Sequence, residues 1–239
     1  MIFDNLLTDS REIQQLVLDS IEKNESLLLT YFNQHCFNIY KEDKKYQQLL
    51  DSKFKVYQAD LGVFLAIKFL EDKKSVKKID ATAMNEVIMN ELVENKIPLI
   101  IVGGKFEPEF VQNQSTKRGI NFVGYQHGYF QETQIDEVIK NLIILKNKVY
   151  IVGMGVPNQE IFAERLSEIS DSKIVICVGS FLEYYFGTKK RTPVFIRKIG
   201  LEWMFRIITD PKRMWKRYLI GIPVFVYRVV KIKFTRNKV

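Results

Sequence analysis

Cysteine and histidine are scarce in this chain of 239 residues, which has two of each. Because Cys36 and Cys177 are isolated and far apart, they give no sign of a disulfide framework, and a reducing cytoplasm is the expected location. His35 and His127 are too few for a histidine-based metal site. The sequence also lacks an Asp-x-Asp triplet, the usual mark of a metal-bound nucleotide sugar. We therefore predict neither a metal nor a cofactor.

Long apolar runs and a signal peptide are missing as well. The first residues, Met1–Asp4, lack the basic and then apolar order of a signal sequence. No uncharged apolar run approaches the roughly 20 residues that cross a bilayer. With 46% hydrophobic and 27% charged residues, the chain has the composition of a globular protein rather than a disordered one. We expect a chain that is neither secreted nor transmembrane and that folds without crosslinks.

Acidic residues are rare near the end of the chain. Residues 197–239 hold twelve basic and two acidic residues, whereas 1–196 hold 24 and 26. Aromatic residues such as Trp215 and Tyr227 are interleaved with these charges. This mixture suits an anionic membrane surface or a nucleic acid. A helical hairpin that packs on the body and leaves a basic face in solvent is the alternative.

Short apolar runs alternate with helix-like stretches over most of the chain. The runs are Leu27–Phe32, Phe54–Tyr57, Leu99–Val102, Ile120–Val123, Val149–Val152 and Ile174–Val178. Continuous apolarity in such short runs predicts strands that are buried on both faces. The predicted helices comprise one after Ser10 and others at roughly 36–51, 61–72, 83–95, 104–117, 132–145 and 158–170. The order predicts an α/β fold, Rossmann-like, with a mostly parallel sheet of about six strands flanked by helices.

The alternation fades after Gly179, and a basic segment follows. We predict two parts: a Rossmann-like domain at 1–188 and a basic, amphipathic helical appendage at 189–239. In folds of this class the ligand crevice lies beyond the carboxyl ends of the strands. Residues that directly follow the predicted strands are therefore the candidates for a binding site.

Two glycine turns stand at that edge. Gly153, Gly155, Pro157, Asn158, Gln159 and Glu160 belong to one segment that follows a strand and opens a helix. Such a turn lets backbone approach a diphosphate, and a helix N-terminus favours anions. Asn158 occupies the place of the third glycine of the dinucleotide fingerprint, which disfavours a nicotinamide cofactor. Gly103 and Gly104 have the same placement with a weaker signal. A simple tight turn is the alternative for both.

Two polar residues at the same edge have alternative interpretations. Asp60 follows a strand and precedes an apolar helix, so its carboxylate could take a proton from an attacking hydroxyl or merely cap the helix. His127, in a loop between strand and helix, could hydrogen-bond a sugar or a phosphate, although a lone histidine is more often structural.

Taken together, the motifs resemble one family. They are Gly153-x-Gly155-x-Pro157-x-Gln159-Glu160, Val178-Gly179-Ser180, Arg191-Thr192-Pro193, Gly200-Leu201-Glu202-Trp203, Asp210-Pro211-x-Arg213, and further back Tyr125–Phe130, Gly103-Gly104, Asp60-x-Gly62 and Asn33. Together, and in their order along the chain, these motifs resemble the WecG/TagA/CpsF glycosyltransferases, glycosyltransferase family 26, over nearly the whole chain.

The resemblance implies an inverting, metal-independent transferase that moves a sugar from a UDP-sugar to a lipid-linked saccharide, a polyprenyl diphosphate, in the synthesis of cell-surface polysaccharide or teichoic-acid-type polymers. It places the catalytic aspartate at Asp60 and a conserved asparagine at Asn33. The remaining implied contacts are with substrate. They comprise Gly103, Gly104, His127, Gly153, Gly155, Pro157, Asn158, Gln159, Glu160, Arg191, Arg206, Arg213, Lys216 and Arg217. Of these, Arg206 and Arg213, with Lys216 or Arg217 as a third, are implied to meet the diphosphate.

The expected partners are the UDP-sugar, the lipid-linked acceptor and an anionic membrane surface at the inner face of the cell membrane, with no nucleic acid; a homo-oligomer is left open. The appendage at 189–239 is expected to be both the membrane contact and a lid over the active site. Three positions depart from the family pattern, namely Leu61, Ala83 and Glu183, and they bear on the donor sugar rather than on the reaction type. Two alternatives stand beside this hypothesis. One is a nucleotide-cofactor Rossmann enzyme, an oxidoreductase or a methyltransferase. The other is a non-enzymatic protein that binds membranes or nucleic acids.

Overall fold

A computed structural model describes residues 2–71, 76–145, 148–170, 174–198 and 201–236, without the side chains of Lys198 and Arg213. Six strands form a single sheet: β1 Leu27–Phe32, β2 Lys55–Gln58, β3 Leu99–Gly103, β4 Phe122–Gln126, β5 Val149–Gly153 and β6 Ile174–Cys177. All strand pairs are parallel, in the order β2-β1-β6-β5-β3-β4. The Rossmann-like parallel sheet that the sequence predicts is confirmed.

Helices connect the strands. They are α1 Ser10–Lys23, α2 Gln34–Glu42, α3 Lys44–Lys53, α4 Leu61–Glu71, α5 Ala81–Glu94, α6 Pro108–Lys117, α7 Ile135–Ile143, α8 Asn158–Ile169 and α9 Phe181–Tyr185. The C-terminal part adds α10 Val194–Lys198, α11 Glu202–Thr209, α12 Pro211–Trp215, a π-helical turn at Lys216–Ile220 and α13 Gly221–Arg236. Short 3-10 turns occur at Ile2–Asn5 and Glu132–Gln134. Over the described ranges, no helix combines the length and apolarity that crossing a bilayer requires.

Two apolar layers enclose the sheet because successive strand residues point to opposite faces. On β5, Tyr150 and Val152 belong to one buried cluster, whereas Val149 and Ile151 belong to the other. The first cluster is completed by α2, α3, α4, α7, α8 and α13, and the second by α1, α5, α6 and α9. Burial on both faces explains why the strands appear in the sequence as continuous apolar runs.

Several boundaries differ from the sequence prediction, and two of these differences have a visible cause. The single helix expected at 36–51 is two helices, because the side chain of Asp43 accepts hydrogen bonds from the backbone N–H groups of Lys45 and Tyr46 and starts α3. The fourth strand begins at Phe122 rather than Ile120 and continues to Gln126. Asn121 lies between, with its side-chain amide donating to the carbonyl of Lys96.

The C-terminal helix α13 packs on the body against α2 and α4. Phe225 is buried and meets Phe37 edge-to-face, with ring centroids 5.3 Å apart. Asn38 donates to the carbonyl of Gly221 at 2.7 Å, and Arg228 binds the Asn38 carbonyl at 3.0 Å and Glu42 at 2.8 Å. These contacts bring the basic C-terminal segment over the carboxyl end of β1, at the edge where the site was expected. The division into parts at residue 188 stays a prediction.

Candidate functional site

Two adjoining cavities open at the carboxyl edge of the sheet. One has a volume of about 430 Å³ and contains Asp60, and we call it the Asp60 cavity. The other has a volume of about 530 Å³ and is lined by Gly104, Gly153 and Gly155; we call it the glycine cavity. Four side chains line both of them: Tyr31, Ser180, Arg206 and Arg217. Ligands in the two cavities would therefore meet at these four residues.

Asp60 is held rigidly in its cavity. Its carboxylate accepts a hydrogen bond from the backbone N–H of Val63 at 2.7 Å and another from that of Gln34 at 3.0 Å. Burial raises the pKa of Asp60 above its ordinary value, although these two hydrogen bonds and the charge of Arg217 act in the opposite direction. A fixed carboxylate with a raised pKa is a better proton acceptor than a solvated one. The carboxylate of Asp60 thus caps the start of α4 and also faces a cavity, and its role as a base stays a prediction.

Asn33 also lines the Asp60 cavity. Its side-chain oxygen accepts hydrogen bonds from the backbone N–H groups of His35 at 2.9 Å and Cys36 at 3.1 Å, and thus caps α2. The asparagine places the start of α2 beside the cavity. Its catalytic role stays a prediction.

The glycine turns bring backbone to the second cavity. Gly103 and Gly153 are paired across β3 and β5, and a Cβ at Gly103 would collide with the Gly153 backbone. Gly104 and Gly155 have positive backbone φ angles of +66° and +81°, which residues other than glycine rarely adopt. Gly104 lines the cavity and Gly103 supports it from beneath. This is a surface on which a flat or anionic ligand contacts main chain directly.

Cationic side chains reach the cavities from the C-terminal segment. Lys216 lines the glycine cavity, and Arg206 and Arg217 line both cavities. Among the described residues, the Nε atoms of Arg206 and Arg217 are buried and have no hydrogen-bond partner. The guanidinium of Arg206 is bound at one corner by Glu202 at 2.6 Å and lies 6.0 Å from the ring centroid of Tyr184. Buried donors without acceptors are costly in a folded protein, so an anionic ligand is their natural partner.

A neutral histidine, His35, lines the glycine cavity. Burial and the nearby charge of Arg217 lower the pKa of His35 to about 4, so its imidazole is uncharged at neutral pH. It therefore adds a hydrogen-bonding group but no charge to the cavity.

Seven residues predicted to bind substrate lie outside the lining of both cavities: Gly103, His127, Pro157, Asn158, Gln159, Glu160 and Arg191. His127 is exposed, and its Nδ1 accepts a hydrogen bond from the N–H of Tyr129 at 3.2 Å. Pro157 and Asn158 lie at the start of α8, outside the lining of both cavities. Arg191 forms an ion pair with Asp80 at 2.9 Å. The side chain of Arg213 lies outside the described residues. Direct contacts of these residues with a substrate stay predictions.

Gln159 and Glu160 are fully buried inside the body. One oxygen of Glu160 accepts from Thr30 Oγ1 at 2.7 Å and from Gln159 Nε2 at 2.8 Å. Gln159 in turn accepts from the N–H of Gly179 at 3.0 Å. These bonds fix the Gly179 turn, which lines the glycine cavity, so the pair supports the site from beneath. They line neither cavity, and their predicted contact with substrate is untested.

Several lining residues are absent from the predicted set. Tyr31 precedes the end of β1, and Asp80 caps α5 by accepting from the N–H of Ala83 at 3.0 Å. Asp80 also binds Arg197 at 3.3 Å and so joins the Asp60 cavity to α10. Asp80 directly precedes α5, so its role as a helix cap could be predicted from its position in the sequence. Its ion pairs with residues more than 100 positions away could not be predicted in this way.

The described residues contain no group of three or more His, Cys, Asp or Glu side chains that could hold a metal ion. Positive charge at the cavities is supplied by Arg206, Lys216 and Arg217, and in the Asp60 cavity also by Lys78 and Arg197.

The buried carboxyl of Glu160 should make the free energy of unfolding depend on pH. Burial raises its pKa from 4.5 to about 7. Its contribution to the free energy of unfolding is therefore complete below pH 4.5 and is lost as the pH rises through 7. At about 1.4 kcal/mol per pKa unit, wild type should lose roughly 3 kcal/mol over this window relative to Glu160→Gln, which mimics the neutral form.

Urea unfolding at a series of pH values measures this difference, with Glu12→Gln on the exposed face of α1 as the control. Parallel pH profiles for wild type and Glu160→Gln would show that the carboxyl is not buried as described.

Part of the chain is similar in sequence to proteins of known function. Two curated relatives from Staphylococcus aureus, of strains MRSA252 and NCTC 8325 / PS 47, are 36% and 35% identical to the chain over 109 residues. Each is named N-acetylglucosaminyldiphosphoundecaprenol N-acetyl-beta-D-mannosaminyltransferase. The matched part covers 46% of this chain and 42% of each relative, so the aligned segment spans less than half of their length.

A family match extends much further along the chain. The sequence model described as glycosyl transferase WecG/TagA/CpsF family matches residues 3–239. This range includes the Asp60 cavity, the glycine turns and the arginines that come from the C-terminal segment. The resemblance to this family that the motifs indicated is therefore confirmed. Because the match covers nearly the whole chain, and with it every residue that lines the two cavities, the chain belongs to the WecG/TagA/CpsF family of glycosyltransferases.

Proposed function

We propose that the protein transfers a sugar from a UDP-sugar to a lipid-linked saccharide, with inversion at the anomeric carbon and without a metal ion. The observation that carries the proposal is the meeting of the two cavities at Arg206 and Arg217, next to Asp60. The names of the relatives indicate an N-acetylmannosaminyl donor and an acceptor on a polyprenyl diphosphate. These are the substrates to test first.

The glycine cavity suits the nucleoside diphosphate of the donor. Main chain at Gly104 and Gly155 allows close approach of a ligand, and Lys216 and Arg217 supply positive charge. The diphosphate then lies at the junction of the two cavities, beside Arg206 and Arg217. Their unpartnered Nε atoms become charge-assisted donors to phosphate oxygens, the strongest kind of hydrogen bond available to a protein.

The Asp60 cavity suits the acceptor sugar. The carboxylate of Asp60 takes the proton of the acceptor hydroxyl while that oxygen attacks the anomeric carbon from the face opposite the diphosphate. The bond from the anomeric carbon to the diphosphate oxygen breaks, and UDP leaves with the electron pair. The arginines stabilise the charge that develops on the leaving oxygen, and fixed donors of this kind commonly lower the barrier more than any other catalytic device.

The C-terminal segment is proposed to act both as membrane contact and as part of the closed site. It carries the excess of basic residues, and it contributes Trp203, Arg206 and Tyr218 to the Asp60 cavity. A lipid-linked acceptor lies at the headgroup layer, and an anionic surface attracts basic side chains close to it. Docking there would place the arginines over the diphosphate when the acceptor arrives.

The proposal is tested by transfer from UDP-N-acetylmannosamine to a polyprenyl-diphosphate N-acetylglucosamine in excess chelator. We expect full turnover, because arginines rather than a metal neutralise the leaving group. Product stereochemistry, read from the one-bond carbon–proton coupling at the anomeric carbon, reports inversion. Activity that disappears with chelator and returns with magnesium or manganese would contradict the metal-free mechanism.

Replacement of the proposed base gives a second test. Asp60→Asn keeps an oxygen that can accept from Val63 or Gln34, so we expect a folded protein with unchanged UDP binding. Turnover should fall at least 10²-fold, as is typical when a general base is removed. Thr82→Ala, in the lining of the same cavity, is the control. A turnover near that of wild type would refute the role of Asp60.

Arginine replacement tests the leaving-group side. Arg217→Gln should reduce turnover by about 10² to 10³, the effect of removing one such donor in other enzymes. Arg236→Gln, on α13 and paired with Asp4 at 3.1 Å, removes the same charge far from the cavities. It should retain wild-type turnover on a water-soluble acceptor. Equal losses in both variants would mean that only net charge matters.

A further inference from the structure

Helix α4 is apolar on the side that faces away from the core. Val63, Ala66, Ile67 and Leu70 point inward and are buried. At four-residue spacing on the other side, Leu61, Leu65 and Phe69 are 40%, 52% and 47% exposed. A surface helix ordinarily presents polar residues there. Three large apolar side chains on one exposed stripe need a partner.

Helix α13 extends this stripe. It runs beside α4: the Phe225 ring lies against Gly62, and eight residues further along both helices Lys233 reaches Leu70 and lies 5.5 Å from the ring centroid of Phe69. On α13, Val226, Val230 and Phe234 are exposed at the same four-residue spacing, by 50%, 37% and 64%. We call these six residues of the two helices the apolar ridge.

The ridge has a basic border. Helices α4 and α13 together contain five basic residues and one acidic residue. The basic ones are Lys68, Arg228, Lys231, Lys233 and Arg236, of which Arg228 and Arg236 are paired with Glu42 and Asp4. Lys68 and Lys231 are exposed beside the ridge. Apolar side chains between lysines are typical of a surface that enters the headgroup layer of an anionic bilayer, where the rings and aliphatic chains are buried and the amines meet phosphate.

The ridge begins at the mouth of the site. Leu61, Leu65 and Val226 line the Asp60 cavity, and Phe69 lies two helical turns below this edge. A membrane in contact with the ridge would therefore touch the opening of the cavity. The charge also favours a membrane over a second copy of the chain, since two such basic ridges would repel one another.

We propose that the apolar ridge on α4 and α13 inserts into the headgroup layer of an anionic membrane and opens the Asp60 cavity toward the lipid. The proposal rests on the proposed function, because a lipid-linked acceptor is what gives this orientation its use. It assigns the contact to a defined surface that includes a helix of the Rossmann-like body. The basic C-terminal segment alone does not form it.

Co-sedimentation with vesicles tests the ridge without any substrate. Vesicles of phosphatidylglycerol mixed with phosphatidylcholine are compared with vesicles of phosphatidylcholine alone. The double variant Phe69→Ser with Val230→Ser changes no charge and touches no residue that lines a cavity. We expect at least tenfold weaker binding to the anionic vesicles, because two apolar side chains are lost from the lipid contact. Phe234→Ser alone should weaken binding in the same direction.

Ile144→Ser is the matched control. Ile144 is 78% exposed at the end of α7, near the amino ends of the strands and opposite the cavities. It should bind vesicles like wild type. Thermal unfolding checks that each variant is folded, and calorimetry with UDP should give an unchanged affinity for the double variant.

Equal vesicle binding of wild type and the double variant, or no preference for anionic lipid, would overturn the proposal. A wild-type dimer that the double variant converts to monomer would also overturn it, because the ridge would then be an interface between copies. If UDP does not bind but vesicle binding still depends on the ridge, the proposed function fails and the membrane surface stands.

Discussion

The packing of α13 on α2 is the contact on which the site depends. Phe225 closes against Phe37, and Arg228 binds the carbonyl of Asn38. The same unbroken helical stretch carries Arg217, and α11 carries Arg206 just before it. If this contact were absent, the glycine turns and Asp60 would remain on the body, but the cations opposite them would have no fixed position. The site is thus built from the sheet edge on one side and from the C-terminal segment on the other.

The two sides contribute different chemistry for a physical reason. The sheet edge offers main-chain groups and a carboxylate whose hydrogen bonds come from backbone N–H groups, so their positions are set by the most rigid part of the fold. The C-terminal segment offers side chains with long reach. Two of these, Arg206 and Arg217, each hold a buried Nε without a hydrogen-bond partner. Leaving such donors without acceptors costs free energy, and this cost is tolerated where a ligand supplies the acceptors.

The sheet and its edge could be predicted from the sequence because parallel strands buried on both faces are continuous apolar runs. Residues that follow such runs necessarily gather at one edge, and Asp60, Asn33, Gly104 and Gly153 do so. The orientation of side chains could not be predicted in this way. Glu160 follows the glycine turn as closely as a ligand-binding residue would, yet it points into the core toward Thr30. The ion pairs of Asp80 join segments over 100 residues apart, and no local spacing encodes them.

Burial also limits which part of the C-terminal segment can move as a lid. Phe225 and Val229 of α13 belong to the main apolar cluster, and Tyr218 and Met214 are buried just before them. Withdrawing each such side chain from the core costs about 1.5–3 kcal/mol, so release of the whole helix competes with the stability of the fold. By contrast, none of the eight residues of α11 is buried as a whole, although Trp203 and Arg206 of this helix line the Asp60 cavity. Opening is therefore cheapest if α11 moves while α13 stays docked, which keeps Arg217 in place and lets Arg206 arrive with the substrate.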